Sequence, residues 1–463
     1  MTTASTPTPT PTPTPAPPDP GVRATATALA VQILKDWTER REAPAPASAL
    51  DPADAGVPAL AALLHPGHHD DGHDDGHDDG HADADADAGA DVDADVDSDV
   101  GSDVDADETA AVAARAVASW VRTAGRGAGH PGLFSGGLAG TLAGLRLGAR
   151  VHPALHTVAD RLHQHLATPP TDPAWRRDEV GITDYDLIVG PAGTLHALLL
   201  GTRPPTVPAA HVAHLTLLCG DPDLRRLRAG RQERFPQLDW LEGRVNTGMG
   251  HGVAGLLTAL TATARRTTPD HPPSPARPAV TEAIRTVCRW LIRQSFTDAR
   301  SVRSWDGAGL DEPPAPGARA RQAWCYGAPG VSWALWDAAD AVGDQESAAW
   351  AAAAFTTLCE AYDETFHLYG DEPTDRLGCC HGAAGVLAVA DAFHRHAHHP
   401  AAAALRTRLT THLTDRLDEV TTLAGQDMGL LGGATGVLCA LLTAAPGAGP
   451  PARRDWTTLL GLR

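Results

Sequence analysis

Two thiols and one imidazole stand out along the chain. Cys325 lies in Trp324-Cys325-Tyr326-Gly327, and the neighbours Cys380 and His381 lie in Cys379-Cys380-His381-Gly382. Sulfur and imidazole donors select zinc over magnesium or calcium. Three protein ligands leave a tetrahedral zinc with its fourth position open to a substrate, whereas closed structural sites use all four. The two thiols are 55 residues apart, far outside zinc-finger spacing, so only a fold that joins distant segments assembles this site. Cys379 is a further candidate donor, but adjacent side chains rarely point the same way, and Cys380 is preferred. Cys219, Cys288, Cys359 and Cys439 read as small buried hydrophobes.

The elements that must position these donors follow from an internal repeat. The pairs Gly137-Leu-Ala-Gly140, Gly190-Pro-Ala-Gly193, Gly252-Val-Ala-Gly255, Gly327-Ala-Pro-Gly330, Gly382-Ala-Ala-Gly385 and Gly433-Ala-Thr-Gly436 each precede an apolar run, at intervals of 53, 62, 75, 55 and 51 residues. A period of that length accommodates a helix pair with its loops. Strand signals are nearly absent, while Ala-, Leu- and Arg-rich segments such as 348–363 and 401–423 read as helices. The expected fold is all-α: a double-layered α/α toroid of six to seven helical hairpins, with a G-x-x-G pair at each inner-helix start. An open solenoid is the alternative. Closure is favoured because residues just before four of the glycine pairs look made to meet: Asp184-Tyr185-Asp186, Asn246 to His251, Arg321 to Tyr326, and Cys379 to His381.

Taken singly, these residues fit ordinary roles. His251 on an apolar background suits a satisfied structural histidine, Asp186 a helix cap, and Arg321 a solvated charge. The ordinary reading is poorer for all of them together.

Composition narrows the function. The formal charge of −20 comes from one run: residues 70–108 hold 18 acidic side chains and no Lys or Arg, and removing them from 57 leaves 39 acidic against 37 basic. The folded body therefore offers no electrostatic case for nucleic acid. No run of ~20 apolar residues is present to span a membrane, and the Thr-Pro repeats at the start lack the features of a secretory signal. Seven cysteines are an odd number in a long chain, which argues for a reducing, cytoplasmic setting over a disulfide framework. Four regions are expected: 1–22, a disordered Thr/Pro-rich tail; 23–65, an N-terminal helical part of the toroid, with Ala26, Leu29, Ala30, Ile33, Leu34 and Trp37 on one helix face; 66–108, a disordered Asp/His-rich insertion too poor in apolar groups to offset ordering entropy; and 109–463, the toroid core.

The motifs Asn246-x-Gly-x-x-His251-Gly, Arg321-x-x-Trp-Cys325-Tyr326-Gly and Cys380-His381-Gly resemble those of the lanthionine synthetase C-like family of peptide cyclases. Tyr185-Asp186-x-x-x-Gly190 and Leu430-Leu-x-Gly433-x-x-Gly436 fit the same pattern, and the resemblance covers about residues 110–445. It implies an α/α toroid with a catalytic Zn2+ held by Cys325, Cys380 and His381. The family's acid/base histidine falls on His251, its aspartate on Asp186, its arginine on Arg321 and its tyrosine on Tyr326. In this scheme Asp186 orients His251, Arg321 holds an enolate oxygen or Asp186, and Tyr326 donates to the same region. The implied reaction adds cysteine thiols of a dehydrated precursor peptide to dehydroalanine or dehydrobutyrine, forming lanthionine or methyllanthionine rings, with a separate dehydratase as partner. Alternatives are glutathione-type thiol addition to dehydrated residues of damaged proteins, a glycoside hydrolase on the same toroid, which needs two facing carboxylates, or a non-catalytic scaffold of a peptide-modifying complex.

Overall fold

Inner helices that are apolar all round alternate along the chain with outer helices that are apolar on one side only, and this alternation dictates two concentric layers. A computed structural model describes residues 21–42, 54–65, 105–126, 128–168, 175–201, 208–231, 236–266, 277–309, 321–445 and 453–463. The expected disorder of the Thr/Pro-rich tail and of the Asp/His-rich insertion falls almost wholly outside them.

The outer layer begins with α1 (Gly21–Glu42) and the inner layer with α2 (Gly56–Leu64). The pattern then repeats as outer α3 (Ala106–Val121) and inner α4 (Leu138–Gly148), outer α5 (Leu155–Ala167) and inner α6 (Pro191–Leu199), outer α7 (Ala209–Leu218) and inner α8 (Val253–Arg266), outer α9 (Arg277–Gln294) and inner α10 (Ala328–Ala341). Outer α11 (Gln345–Ala361) follows, then two short helices, α12 (Glu364–His367) and α13 (Pro373–Leu377), and inner α14 (Ala383–His396). Outer α15 (Pro400–Thr414) and α16 (Leu417–Ala424) lead to inner α17 (Ala434–Ala444). Each inner helix packs on the next, and α17 returns to α2, closing the ring. The toroid is therefore closed and built on seven inner helices. The first of them, α2, lacks the paired glycines.

Local chemistry explains the layering. All nine residues of α6 and all eleven of α17 are buried. In contrast, α9 buries Val280, Ile284, Val287 and Leu291 and turns Arg285, Arg289 and Arg293 outward. On α1 the expected face is present, with Ala26, Ala30, Ile33, Leu34 and Trp37 buried. Asp344 starts α11 by accepting the Ser347 N–H, three residues before the sequence pattern suggested. The segment expected as one helix over 401–423 is two. Arg416 leaves helical geometry (φ −121°, ψ 23°), which turns α16 against α1 and α17.

A short 3-10 turn, Asp455–Leu460, and the residues after it fill the middle of the ring. Trp456, Leu459, Leu460 and Leu462 are buried. The Leu460 and Gly461 carbonyls accept the indole N–H groups of Trp324 (2.9 Å) and Trp333 (3.1 Å). No described helix is long and apolar enough to cross a membrane.

Candidate metal centre and its surroundings

The glycine pairs build the site by letting each loop fold back onto the helix it precedes. A Cβ at Gly330 would overlap the Trp324 carbonyl oxygen, and one at Gly385 would overlap the Cys379 carbonyl oxygen. Only glycine permits that approach. In both cases the carbonyl belongs to the residue six before the second glycine, so the next residue, Cys325 or Cys380, takes the equivalent place at the barrel end. Successive loops are then laced by backbone hydrogen bonds: Leu187 N–H to Gly250 O (3.2 Å), Met249 N–H to Cys325 O (2.8 Å), Cys325 N–H to Cys380 O (3.3 Å) and Cys380 N–H to Leu431 O (2.8 Å).

The donor atoms of Cys325, Cys380 and His381 lie within 4.8 Å of one another. Among the described residues no other His, Cys, Asp or Glu side chains converge in this way. Cys379 stays outside the group. It is fully buried and its Sγ faces Gly436 on α17, so it adds no fourth donor, and burial pushes its thiol up. The other two thiols titrate as a pair. The hydrogen bond between them, then burial, pushes Cys325 up. The same bond holds Cys380 well below the ordinary thiol range against its burial, helped by His381 and His251. A site that already favours one thiolate beside a second thiol and an imidazole suits a soft divalent cation, and zinc fits this donor set. On His381, Nδ1 is engaged by Asp375 Oδ1 at 3.1 Å, which leaves Nε2 for the thiol side of the site, where His381 also hydrogen-bonds Cys380.

His251 comes from the loop before α8. Its Nδ1 meets Asp186 Oδ2 at 2.5 Å, and the Asp186 side chain is 0 % exposed. Asp186 Oδ1 also accepts the N–H groups of Val189 (2.8 Å) and Gly190 (2.7 Å). It thus braces the turn before α6 and partners the histidine at once. Burial pulls the His251 pKa down, but the hydrogen bond and charge of Asp186, with a contribution from Cys380, outweigh it and hold the pKa above its ordinary value. The Tyr185 hydroxyl donates to the His251 carbonyl at 2.8 Å, so two consecutive residues grip His251 from both ends.

Tyr326 accepts a hydrogen bond at its hydroxyl from Asn246 Nδ2 (2.9 Å), while Asn246 Oδ1 accepts the Gly248 N–H. Burial raises the Tyr326 pKa far above the neutral range, so the phenol keeps its proton and can donate it. Arg321 lies 4.3 Å over the Tyr369 ring, and its buried Nη1 has no hydrogen-bond partner. Arg321 makes no hydrogen bond or ion pair with Asp186, whose two oxygens meet Val189, Gly190 and His251. A buried Nη1 beside the thiols is costly without an acceptor, and a developing anion would supply one.

Every residue expected from the sequence therefore lies at one end of the ring. Three of the contacts had no place in the sequence reading: Asn246 on Tyr326, Tyr369 under Arg321, and Asp375 on His381. Asn246 sits inside a quoted motif and was within reach. Tyr369 and Asp375 belong to the stretch between α11 and α14, which no other repeat shares.

A family profile described as "Lanthionine synthetase C-like protein" matches residues 99–447. No curated protein matches the chain by sequence. Among solved structures, nisin cyclase has the same fold, with a TM-score of 0.66 over 94% of this chain and 97% of that one, at 15% identity.

Proposed function

Since the chain belongs to the lanthionine synthetase C-like family, we propose that it is a zinc-dependent cyclase that closes thioether rings in a dehydrated precursor peptide. The observation that carries this reading is the convergence of Cys325, Cys380 and His381 at the same barrel end as the Asp186–His251 pair. In this reading Cys325, Cys380 and His381 hold Zn2+, which when bound supplies a place where a thiol loses its proton at neutral pH. A free thiol titrates near ~8.5 and is only a few per cent ionised at pH 7.

The remaining residues manage the charge and the proton. When the peptide sulfur forms its bond to the β carbon of dehydroalanine or dehydrobutyrine, the alkene electron pair moves toward the α carbon and the neighbouring carbonyl, giving an enolate. His251 then delivers a proton to the α carbon. Asp186 holds Nδ1–H, so Nε2 carries the transferable proton, and the raised pKa favours the protonated ring. Arg321 offers its unpartnered Nη1 to the enolate oxygen. Tyr326, oriented by Asn246, donates to the same region.

The alkene must be made first, so we propose a separate dehydratase as the partner that supplies the substrate. None of the seven cysteines is paired in a disulfide, which fits a reducing cytoplasm. The test is to incubate the purified protein with a dehydrated peptide carrying free cysteines and count alkylatable thiols. Loss of thiols without change in peptide mass supports ring closure. Retention of every thiol, in a protein loaded with zinc, contradicts it. Supplying glutathione in the same assay separates the two thiol chemistries, because glutathione addition raises the peptide mass.

A further inference from the structure

The structure assigns Asp375 as the positioning residue that fixes which nitrogen His381 presents to a metal. The assignment rests on the zinc reading above and extends it to a residue in the stretch between α11 and α14.

Asp375 lies on α13, six residues before His381, and its Oδ1 is 3.1 Å from His381 Nδ1. The carboxylate is 28% exposed and the imidazole 42%, so the contact survives partial access to solvent only if the backbone holds it. That backbone is elaborately constrained. Gly370 has φ +136°, and a Cβ there would come within 2.5 Å of Asp375 Oδ2 and still closer to its Cβ. The space a side chain at position 370 would need is therefore the space Asp375 fills. Arg376 ties the turn from the other side, donating from Nη1 to the carbonyls of Gly370 (3.1 Å) and Asp371 (3.2 Å). Thr374 Oγ1 donates to the Gly432 carbonyl at 2.8 Å, which anchors the turn to the loop before α17. Three bonds and one glycine thus aim one carboxylate at one imidazole nitrogen.

The chemistry of such a contact is specific. A carboxylate that accepts Nδ1–H selects the tautomer whose Nε2 lone pair is free, fixes the ring plane, and makes that nitrogen a stronger donor. Without it, either ring nitrogen could face the thiols of Cys325 and Cys380, and the ring would be free to turn. Outer partners of this kind contribute about 10- to 100-fold to metal affinity.

The test uses the full chain, stripped of metal and titrated with zinc against a chromophoric chelator. Asp375→Ala should bind zinc about 10- to 100-fold more weakly than wild type. Asp375→Asn, which keeps an acceptor for Nδ1–H, should recover most of that loss. Gly370→Ala should weaken binding as Asp375→Ala does. Thermal melts of the metal-free variants control for folding, and the visible bands of the cobalt-loaded protein should shift in Asp375→Ala but not in Asp375→Asn. Unchanged zinc affinity and an unchanged cobalt spectrum in Asp375→Ala would overturn the assignment. A wild-type chain that takes up no zinc would instead overturn the metal reading beneath it.

Discussion

Asp186 and His251 come from successive repeats, 65 residues apart, and meet at 2.5 Å with the carboxylate wholly buried. One oxygen of Asp186 grips the imidazole while the other accepts the Val189 and Gly190 N–H groups in the turn before α6. The two duties are separable. Asp186→Asn keeps acceptors for the Val189 and Gly190 N–H groups but removes the charge that holds the His251 pKa up. Stability should fall by about 1 kcal/mol for each charge-assisted hydrogen bond that becomes a neutral one. Activity should fall, and because the proposed proton delivery uses the protonated ring, the alkaline limb of the pH–rate profile should move to lower pH. Asp186→Ala should add the loss of the two bonds to the turn before α6. A profile in Asp186→Asn that superposes on wild type would break the link between this pair and proton delivery.

Arg321 is the residue whose environment most clearly asks for a ligand. Removing it should lower kcat by roughly 10²-fold, as for loss of one oxyanion donor, with zinc content unchanged. Tyr369 supports the guanidinium face, and such a contact contributes about 0.5–2 kcal/mol. Tyr369→Ala should therefore lower kcat several-fold, and Tyr369→Phe should be nearly silent. Equal losses in both variants would show that the hydroxyl, and not the ring face, is what matters.

Gly385 is a packing requirement of the metal loop. A methyl group at Gly385→Ala would collide with the Cys379 carbonyl and push the next residue, Cys380, out of register with Cys325. Overpacking of this kind costs about 1–3 kcal/mol. Urea midpoints should fall accordingly and zinc affinity should fall with them. A stable variant with full zinc affinity would show that the loop has slack the geometry does not suggest.

Acid sensitivity should have a defined origin in His196. Its Nε2–H donates to Thr258 Oγ1 at 3.0 Å, and its buried Nδ1 has no partner to accept a second proton's hydrogen bond. Burial lowers its pKa from 6.5 to about 4, with Arg266 adding to the effect. The unfolded chain therefore takes up this proton first as pH falls. The contribution is present in full above about 6.5 and is lost between there and about 4, amounting to about 3 kcal/mol. Urea unfolding at pH 7.5, 5.5 and 4.5 should show a shallower decline in His196→Gln than in wild type. Parallel declines would assign the acid loss to other groups.

How much of this was legible in the sequence depends on whether a residue repeats. The glycine pairs recur six times, so they mark six of the seven inner helices and the equivalence of Cys325 with Cys380, while closure is favoured by the uneven spacing and the polar residues that look made to meet. The break at Arg416 carries no Gly or Pro to announce it and is set by packing of α16 on α1 and α17. Asp375 and Tyr369 occur once, in a stretch with no counterpart, and nothing local distinguishes an aspartate aimed at His381 from a solvated one. Asn246 itself lies in a motif, but its pairing with Tyr326 is not local, since the amide reaches the hydroxyl only after two loops 80 residues apart are laced together.

The central claim is that three donors hold one zinc and that His251 acts beside it without holding it. The direct measurement is zinc content and ring formation, on the same preparations, for wild type, Cys380→Ala and His251→Ala. Wild type should carry one zinc per chain and close rings. Cys380→Ala should lose both, while His251→Ala should keep the zinc and lose the rings. Ring closure at the wild-type rate by zinc-free Cys380→Ala, or by His251→Ala, would contradict the account.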